Sequence, residues 1–279
     1  MYKEAILDAV SMHELPSKWH SGVLEEAKKA TKKKKASKYR QDLRKLPFIT
    51  IDGEDAKDFD DAIFCTKHSN GFKLFVAIAD VSFYVKMGSK TDREAQKRGT
   101  SVYFPAKVIP MLPEDLSNGI CSLKPNEDRC AMICEMSLGL DGKRGKYKFY
   151  SGLIKSKARL TYNQVEKHLQ GSSKIELPSA RDSINHLNKL TNLRLIHRDK
   201  RQALEINSKE INLELNKNKE VKNILVKKSL FAHKLVEESM LLANESAAEF
   251  MQNRLNLGVY RVHEDPDASK LELLKKHFH

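Results

Sequence analysis

The stretch Thr50–Phe64, "TIDGEDAKDFDDAIF", contains five aspartates and one glutamate within the ten residues 52–61. It lies between the apolar segment "LPFIT" and a second apolar run, "AIF" followed by "FKLFVAIADVSFYV". Both runs have the length and the β-branched and aromatic content of buried strands. The sequence therefore predicts that the acids crowd together where two core strands meet, and not on a solvated tail.

Crowded carboxylates need a compensating positive charge. Two of them at a separation of about 4–6 Å repel by roughly 3–4 kcal/mol at an effective dielectric constant near 20. A hard divalent cation with oxygen ligands is the simplest source of that charge. The alternative is an acidic turn with a structural role only. A calcium-binding loop is disfavoured, because the spacing lacks the required glycine and the closing glutamate.

Composition indicates a soluble globular protein of one or two domains. The chain has 279 residues, of which 40% are hydrophobic and 31% charged. No uninterrupted apolar stretch approaches the roughly 18 residues of a membrane span, and the first twenty residues lack the apolar core of a secretory signal. We therefore expect a cytoplasmic protein without a membrane partner. Four cysteines are predicted to be buried free thiols, in preference to a zinc site: Cys65, Cys121, Cys130 and Cys134.

The net charge favours a polyanionic partner. Fifty Lys and Arg residues against 37 Asp and Glu give a charge of +13. A basic surface around an acidic cluster fits nucleic acid, although Lys-rich composition also occurs in proteins that are merely soluble. The lysine run in residues 28–35 has two interpretations, a solvated linker or an arm that contacts phosphates, and the linker is favoured.

The organisation of the chain follows from its composition and periodicity. Composition changes at Leu46–Pro47, which divides a helical and basic segment, 1–45, from a predicted catalytic core, 46–279. Strands are predicted from residue 48 to about 160, and a hairpin over 211–226. Helices are predicted over 92–99, 161–171, 179–203 and 229–255.

Several of these segments together resemble a known family. "TIDGEDAKDFDDAIF", "VAIADVS", "DREAQKRGTSVYFPAKVIPMLPEDLSNGICSL" and "ARLTY" are similar to the catalytic (RNB) domain of the ribonuclease II/ribonuclease R exoribonucleases. The Gly-Glu pair after Asp52 and the "SVYFP" sequence are most similar to the bacterial ribonuclease R branch. "VEESMLLAN" and "RVHEDPD" also match, so that the resemblance covers nearly the whole chain.

The resemblance implies a fold and an activity. The fold would be α+β, with a mixed, largely antiparallel sheet and packed helices. The activity would be processive 3′→5′ hydrolysis of single-stranded RNA to nucleoside 5′-monophosphates with Mg²⁺. Four residues match the family's catalytic aspartates and would hold one or two magnesium ions: Asp52, Asp58, Asp60 and Asp61.

The resemblance also implies three substrate-binding residues. Tyr103 matches an aromatic residue that stacks near the 3′-terminal base; from the sequence alone, a core tyrosine beside Phe104 is equally compatible. Glu237 matches a glutamate near the terminal ribose, whereas its position on an apolar helical stripe by itself favours a salt-bridged interior glutamate. Tyr162 matches a tyrosine near the cleaved linkage.

The chain departs from the family pattern in two ways. Gln202 replaces a glycine, and Ile206 falls where some members carry a stacking phenylalanine. The family's N-terminal cold-shock domains and its later arginine-rich segment have no counterpart in this sequence. We therefore expect a shortened catalytic domain with impaired activity. The alternatives are a non-catalytic RNA-binding or split-enzyme fragment that needs a C-terminal half as its partner, and an unrelated magnesium phosphohydrolase.

Overall fold

The computed structural model describes residues 2–32, 39–105, 107–203, 210–216, 220–227 and 229–277. The chain forms two compact units, Met1–Ala243 and Asn244–His279. The helices are α1 (Tyr2–Met12), α2 (Ser21–Thr31), α3 (Val81–Tyr84), α4 (Lys90–Arg98), α5 (Tyr162–Leu169), α6 (Pro178–Lys200), α7 (Phe231–Leu255) and α8 (Ala268–His277). The strands are β1 (Gln41–Asp42), β2 (Ile49–Asp52), β3 (Asp61–His68), β4 (Gly71–Ala79), β5 (Val102–Phe104), β6 (Lys107–Ile109), β7 (Asp128–Leu138), β8 (Arg144–Lys155), β9 (Ala158–Thr161), β10 (Glu210–Leu215) and β11 (Val221–Lys227).

A seven-stranded sheet forms the centre of the first unit, in the order β1-β8-β7-β4-β3-β2-β9. The two edge strands pair in parallel, β1 with β8 and β9 with β2, and all other neighbours are antiparallel. Two antiparallel pairs, β5–β6 and β10–β11, lie outside this sheet. The predicted α+β fold with a mixed, largely antiparallel sheet is confirmed.

Each face of the sheet packs against its own set of helices, because alternate strand residues point to opposite sides. On β3, Ile63 and Cys65 belong to a buried cluster that includes side chains of α5, α6 and α7. Ala62 belongs to a second cluster on the other face, which contains Ala27 and Ala30 of α2. The end of β3 is therefore fixed from both sides.

The segment before residue 46 is attached to the same unit. Ala27 and Ala30 are buried against the sheet, and β1 pairs with β8. Buried Arg98 packs against the Trp19 ring, with its guanidinium carbon 3.5 Å from the ring centroid, and it donates a 2.8 Å hydrogen bond to the Lys18 carbonyl. The division at residues 45/46 stays a prediction from composition.

The predicted elements reappear with small changes at their ends. Helix α4 ends at Gly99, whose φ of 73° is left-handed, and α5 begins with a capping box between Thr161 and Gln164. The predicted hairpin corresponds to β10–β11, and its turn, residues 217–219, lies outside the described residues. All four cysteines are buried and free, as predicted. In the described residues, no helix combines the length and the apolar character needed to cross a membrane.

Gly71, the first residue of β4, provides a test of the register in which β4 pairs with β7. Gly71 has a φ of 138°, and a Cβ atom added to it would lie 1.9 Å from the Leu138 carbonyl oxygen. We expect Gly71→Ala to lower the free energy of unfolding by about 3 kcal/mol or more, because backbone strain and a backbone clash add. Gly88→Ala is the control, since Gly88 is also left-handed but faces open space, and it should lose only about 1–2 kcal/mol. Urea denaturation followed by circular dichroism measures both, and equal losses would contradict the register.

Candidate active site

The four predicted aspartates lie at the same end of two neighbouring strands. Strand β2 ends at Asp52 and β3 begins at Asp61, and the strands pair through Ile49 and Ile63. Residues 53–60 connect them and carry Asp58 and Asp60. The sequence prediction that the acids lie between two core strands is therefore confirmed. The prediction that they act as catalytic residues and metal ligands stays a prediction.

Backbone hydrogen bonds from two sides hold this connecting segment in place. The Ser122 hydroxyl accepts a 3.0 Å hydrogen bond from the Phe59 amide and donates one of 3.0 Å to the Lys57 carbonyl. The Ala79 amide donates to the Asp60 carbonyl at 2.9 Å. Phe59 is buried, so an apolar side chain anchors the segment between the acids. Asp58 and Asp60 consequently sit on a fixed backbone.

Arg159 of β9 holds the beginning of the same segment. Its Nη2 atom donates to the carbonyl oxygens of Gly53 at 2.8 Å and Glu54 at 2.6 Å. The Asn163 side-chain amide donates to the Glu54 carboxylate at 2.8 Å, so this acid already has a partner on α5. Sequence reasoning missed the roles of Arg159 and Ser122. Both lie within the quoted motifs, but a sequence does not show which side chains bond to backbone groups far along the chain.

The carboxylates lie close enough to perturb one another. The pKa of Asp60 is raised first by the protein atoms that crowd its carboxylate, although the residue as a whole is exposed, and then by the negative charges of Asp58 and Asp52. Burial, followed by the charges of Asp52 and Asp60, raises the pKa of Asp61 to about 6. The four aspartates thus form one electrostatic group, in which the ionised forms of Asp60 and Asp61 are disfavoured until positive charge is supplied.

The chemistry of this group fits a hard cation. One oxygen of Asp61, Oδ2, is buried and has no hydrogen-bond partner among the described residues. A buried acceptor of this kind is normally satisfied, which makes it suited to bind a cation. Within the same described residues, no three His, Cys, Asp or Glu side chains converge tightly enough to form a ready-made metal site. The donor atoms are therefore suitable, while their convergence on one ion stays a prediction.

A cavity of about 310 Å³ opens beside Asp58 and Asp60. Tyr103 of β5 lines it and is 67% exposed, so the interpretation as a core tyrosine is wrong. The pKa of Tyr103 is raised by partial burial and then by the charge of Asp58. An exposed aromatic ring beside the acids can stack on a base, which is a sequence-tolerant contact.

Tyr162 approaches the acids from the other face of the sheet. Burial and then the charges of Asp52 and Asp61 raise the pKa of Tyr162 to about 12, which places its hydroxyl near these two acids. Its ring stacks on His233 of α7, with centroids 4.0 Å apart and an interplanar angle of 15°. The Leu230 amide donates to Nδ1 of His233 at 3.0 Å, which helps to orient the imidazole. Sequence reasoning missed His233.

Glu237 lies on the exposed face of α7, four residues beyond His233 and therefore on the same side of the helix. The Arg198 Nη1 atom contacts its carboxylate at 2.8 Å and that of Glu238 at 3.0 Å. The interior, salt-bridged glutamate that the apolar stripe favours is Glu238, which is 2% exposed and also contacts Arg194 at 3.4 Å. The interpretation of Glu237 as an interior glutamate is therefore wrong, since its neighbour Glu238 has that position. The Glu237 carboxylate is accessible to a ligand.

Gln202, the first departure from the family pattern, has an unusual backbone conformation. Gln202 follows α6 with a φ of 53°, the left-handed conformation that glycine adopts most readily. The chain thus keeps the conformation expected of the family's glycine while carrying a side chain there. Ile206, the second departure, lies outside the described residues.

Comparison with known proteins decides the family. The RNB domain family matches residues 40–278. The chain belongs to the RNB domain family. Ribonuclease R of Escherichia coli K12 is 43% identical over 269 residues, which are 94% of this chain and 33% of that protein. Ribonuclease R of Thermotoga maritima is 46% identical over 241 residues, 85% of this chain and 34% of its own length.

A solved structure agrees with this assignment. Mycoplasma genitalium RNase R in complex with ribose-methylated single-stranded RNA superposes with a TM-score of 0.90 at 34% identity, covering 94% of this chain and 42% of that one. The RNB domain described here thus spans about a third of the length of the curated relatives that it matches.

The raised pKa of Asp61 predicts an unusual pH dependence for the RNB domain without metal. Its folded-state pKa of about 6 exceeds the ordinary 3.8, so between these values the folded state binds more protons than the unfolded state. Stability in EDTA should therefore fall as the pH rises from about 4 to about 7. The loss should approach 3 kcal/mol, since each pKa unit corresponds to about 1.4 kcal/mol.

Urea denaturation in EDTA between pH 4 and 8 tests this expectation. Asp61→Asn should be more stable than the parent at pH 7.5 and similar to it near pH 4. Asp55→Asn is the control, because Asp55 is an exposed acid of the same segment. Parallel pH profiles for the parent and Asp61→Asn would contradict the assignment of the shift.

Proposed function

We propose that this RNB domain is a Mg²⁺-dependent exoribonuclease that degrades single-stranded RNA from 3′ to 5′ and releases nucleoside 5′-monophosphates. The observation that carries the proposal is the electrostatic group of four aspartates at the β2/β3 end, beside a cavity with an exposed tyrosine. Repelling carboxylates held on a fixed backbone favour a divalent cation, and the cavity has room for the end of a strand.

The metal would be held by the oxygens of Asp52, Asp58, Asp60 and Asp61. When bound, it supplies charge neutralisation at the phosphate and lowers the pKa of the attacking water. The rigid backbone at residues 57–60 fixes the distance between these acids and the substrate, which matters because small misplacements of reacting groups are costly. Asp61, with one buried unpartnered oxygen, gains most from the cation.

Three other residues act on the RNA end. Tyr103 would stack on the 3′-terminal base from the cavity wall. Tyr162 is protonated at neutral pH and can donate a hydrogen bond. Burial and then the charges of nearby Asp52 and Asp61 raise its pKa, and from this position it can contact the cleaved phosphate. Glu237 would accept a hydrogen bond from the terminal 2′-hydroxyl, a group that distinguishes RNA from DNA.

RNA as the substrate is supported by two further facts. The Mycoplasma RNase R relative was solved in complex with single-stranded RNA. This chain itself carries a net charge of +13, which favours a polyanion. A second candidate function is RNA binding without turnover, because the chain spans about a third of its relatives. The basic surface and Tyr103 would serve binding alone.

Magnesium should stabilise the protein through the acidic group. Since a ligand that binds only the folded state shifts the unfolding equilibrium, millimolar Mg²⁺ should raise the Tm at pH 7.5, and a concentration of about 100 times Kd contributes about 2.7 kcal/mol. Asp60→Asn should reduce this gain, whereas Asp55→Asn should retain it. A Tm that does not respond to Mg²⁺ in the parent protein would argue against a metal site here.

Cleavage should require the same acids. With 5′-labelled single-stranded RNA and Mg²⁺, we expect a ladder that shortens from the 3′ end, and a strand ending in 2′-deoxynucleotides should be cut more slowly. Asp60→Asn should lower the rate by about 100-fold or more, since it removes several kcal/mol of charge stabilisation. Asp55→Asn should cut at the parent rate. Denaturing gel electrophoresis resolves the products.

One further lane separates the candidate functions. It adds the part of E. coli ribonuclease R that this chain does not cover, supplied in trans. Cleavage only in that lane would mean that the chain holds part of an active site. Intact RNA in every lane, together with retarded migration on a native gel, would reject the nuclease and support binding without turnover.

A further inference from the structure

The segment that carries the catalytic aspartates also forms the wall of a second cavity. Asp58 and Asp60 line the first cavity, whereas Lys57 and Phe59 line a cavity of about 500 Å³. None of the described residues lines both. Successive residues from Lys57 to Asp60 thus line the two cavities alternately. The volume falls within the range of small-molecule sites, about 300–1,000 Å³.

Residues with cationic and amide side chains line this second cavity, which we call the basic cleft. Its lining includes Lys57 from the aspartate segment, Asn118 and Lys124 from the region before β7, and Arg159 from β9. Glu127 also lines it, and this carboxylate is already paired with Arg129 at 2.6 Å. The cleft therefore carries an excess of positive charge.

Several donors in the basic cleft have no acceptor among the described residues. Among the described residues, neither Lys57 nor Lys124 has an ion-pair partner for its ammonium group. Arg159 uses Nη2 for two backbone carbonyls, and its Nη1 and Nε atoms contact no acceptor in the described part of the chain. A cleft with three cations and unfilled N–H donors is suited to a tetrahedral oxyanion, which accepts several charge-assisted hydrogen bonds at once.

We propose that the basic cleft is a phosphate-binding subsite, separate from the aspartate group and on the opposite side of the segment 56–60. The phosphate can belong to the RNA backbone or to a nucleoside 5′-monophosphate. Both present the same chemistry, and the experiment distinguishes them. Binding here does not require a metal or nuclease activity.

The subsite is joined to the catalytic segment through two of its own residues. Lys57 lies on that segment, and Arg159 holds its first two carbonyl oxygens. A bound phosphate would therefore order the Arg159 guanidinium and Lys57 together. Arg159 is kept intact in the test for this reason, because its loss would also release the aspartates.

The test uses the full chain with Asp60→Asn in EDTA, so that neither cleavage nor metal binding can contribute. Lys57→Gln with Lys124→Gln removes two cations from the basic cleft. The matched control, Lys67→Gln with Lys189→Gln, removes the same charge from exposed positions on β3 and α6. Circular dichroism verifies that both variants keep the parent Tm. Fluorescence anisotropy measures the Kd for labelled single-stranded RNA at several salt concentrations. Calorimetry measures the binding of adenosine 5′-monophosphate and of inorganic phosphate.

We expect the cleft variant to bind RNA about tenfold or more weakly, and its log–log salt slope to fall by about 1.4, since each phosphate contact contributes about 0.7 on single strands. The control pair should change the Kd by less than about twofold. If the variant also loses binding of the monophosphate, the cleft takes a free nucleotide; if it loses RNA only, the cleft takes the backbone. If the cleft variant and the control variant lose the same affinity for RNA, or if neither loses any, the proposal is wrong.

Discussion

Repulsion between carboxylates at the end of β2 and β3 is the constraint on which the rest of this structure depends. Asp52 and Asp61 are fixed by strand pairing, and Asp58 and Asp60 by the hydrogen bonds of the segment between them. Burial raises the pKa of Asp61, so the fold retains an arrangement that is unfavourable for the ionised protein alone. Such strain is retained at functional sites, where it disappears when the ligand binds.

Much of the surrounding structure opposes that repulsion. Ser122 and Ala79 bind the backbone of the segment, and Arg159 brings a guanidinium to its first carbonyls. Both faces of β3 are packed, which leaves the strand end little freedom to move away. The site is thus built by elements distant in sequence, and it is supported by backbone contacts as much as by side chains.

The extent to which the sequence predicts this structure depends on the kind of signal. Periodicity and turn residues locate the strands, the helix that stops at Gly99 and the capping box at Thr161, because these are local properties. The motif locates the aspartates. Long-range contacts are not predictable in this way: the His233–Tyr162 stack and the Arg159 contacts join residues about 70 and 105 positions apart. The helical stripe predicted burial at Glu237, whereas the structure buries its neighbour Glu238 and leaves Glu237 exposed.

The alternation of side chains along residues 57–60 gives this short segment a distinctive evolutionary constraint. Lys57 and Phe59 face one cavity, and Asp58 and Asp60 face the other. Gaining or losing one residue here would exchange the two sets, turning the carboxylates toward the cations and the buried ring toward solvent. Point substitutions affect one contact at a time, but a change of length would invert the polarity of both cavities at once. The length of this segment should therefore vary less among functional relatives than the identities of its residues do.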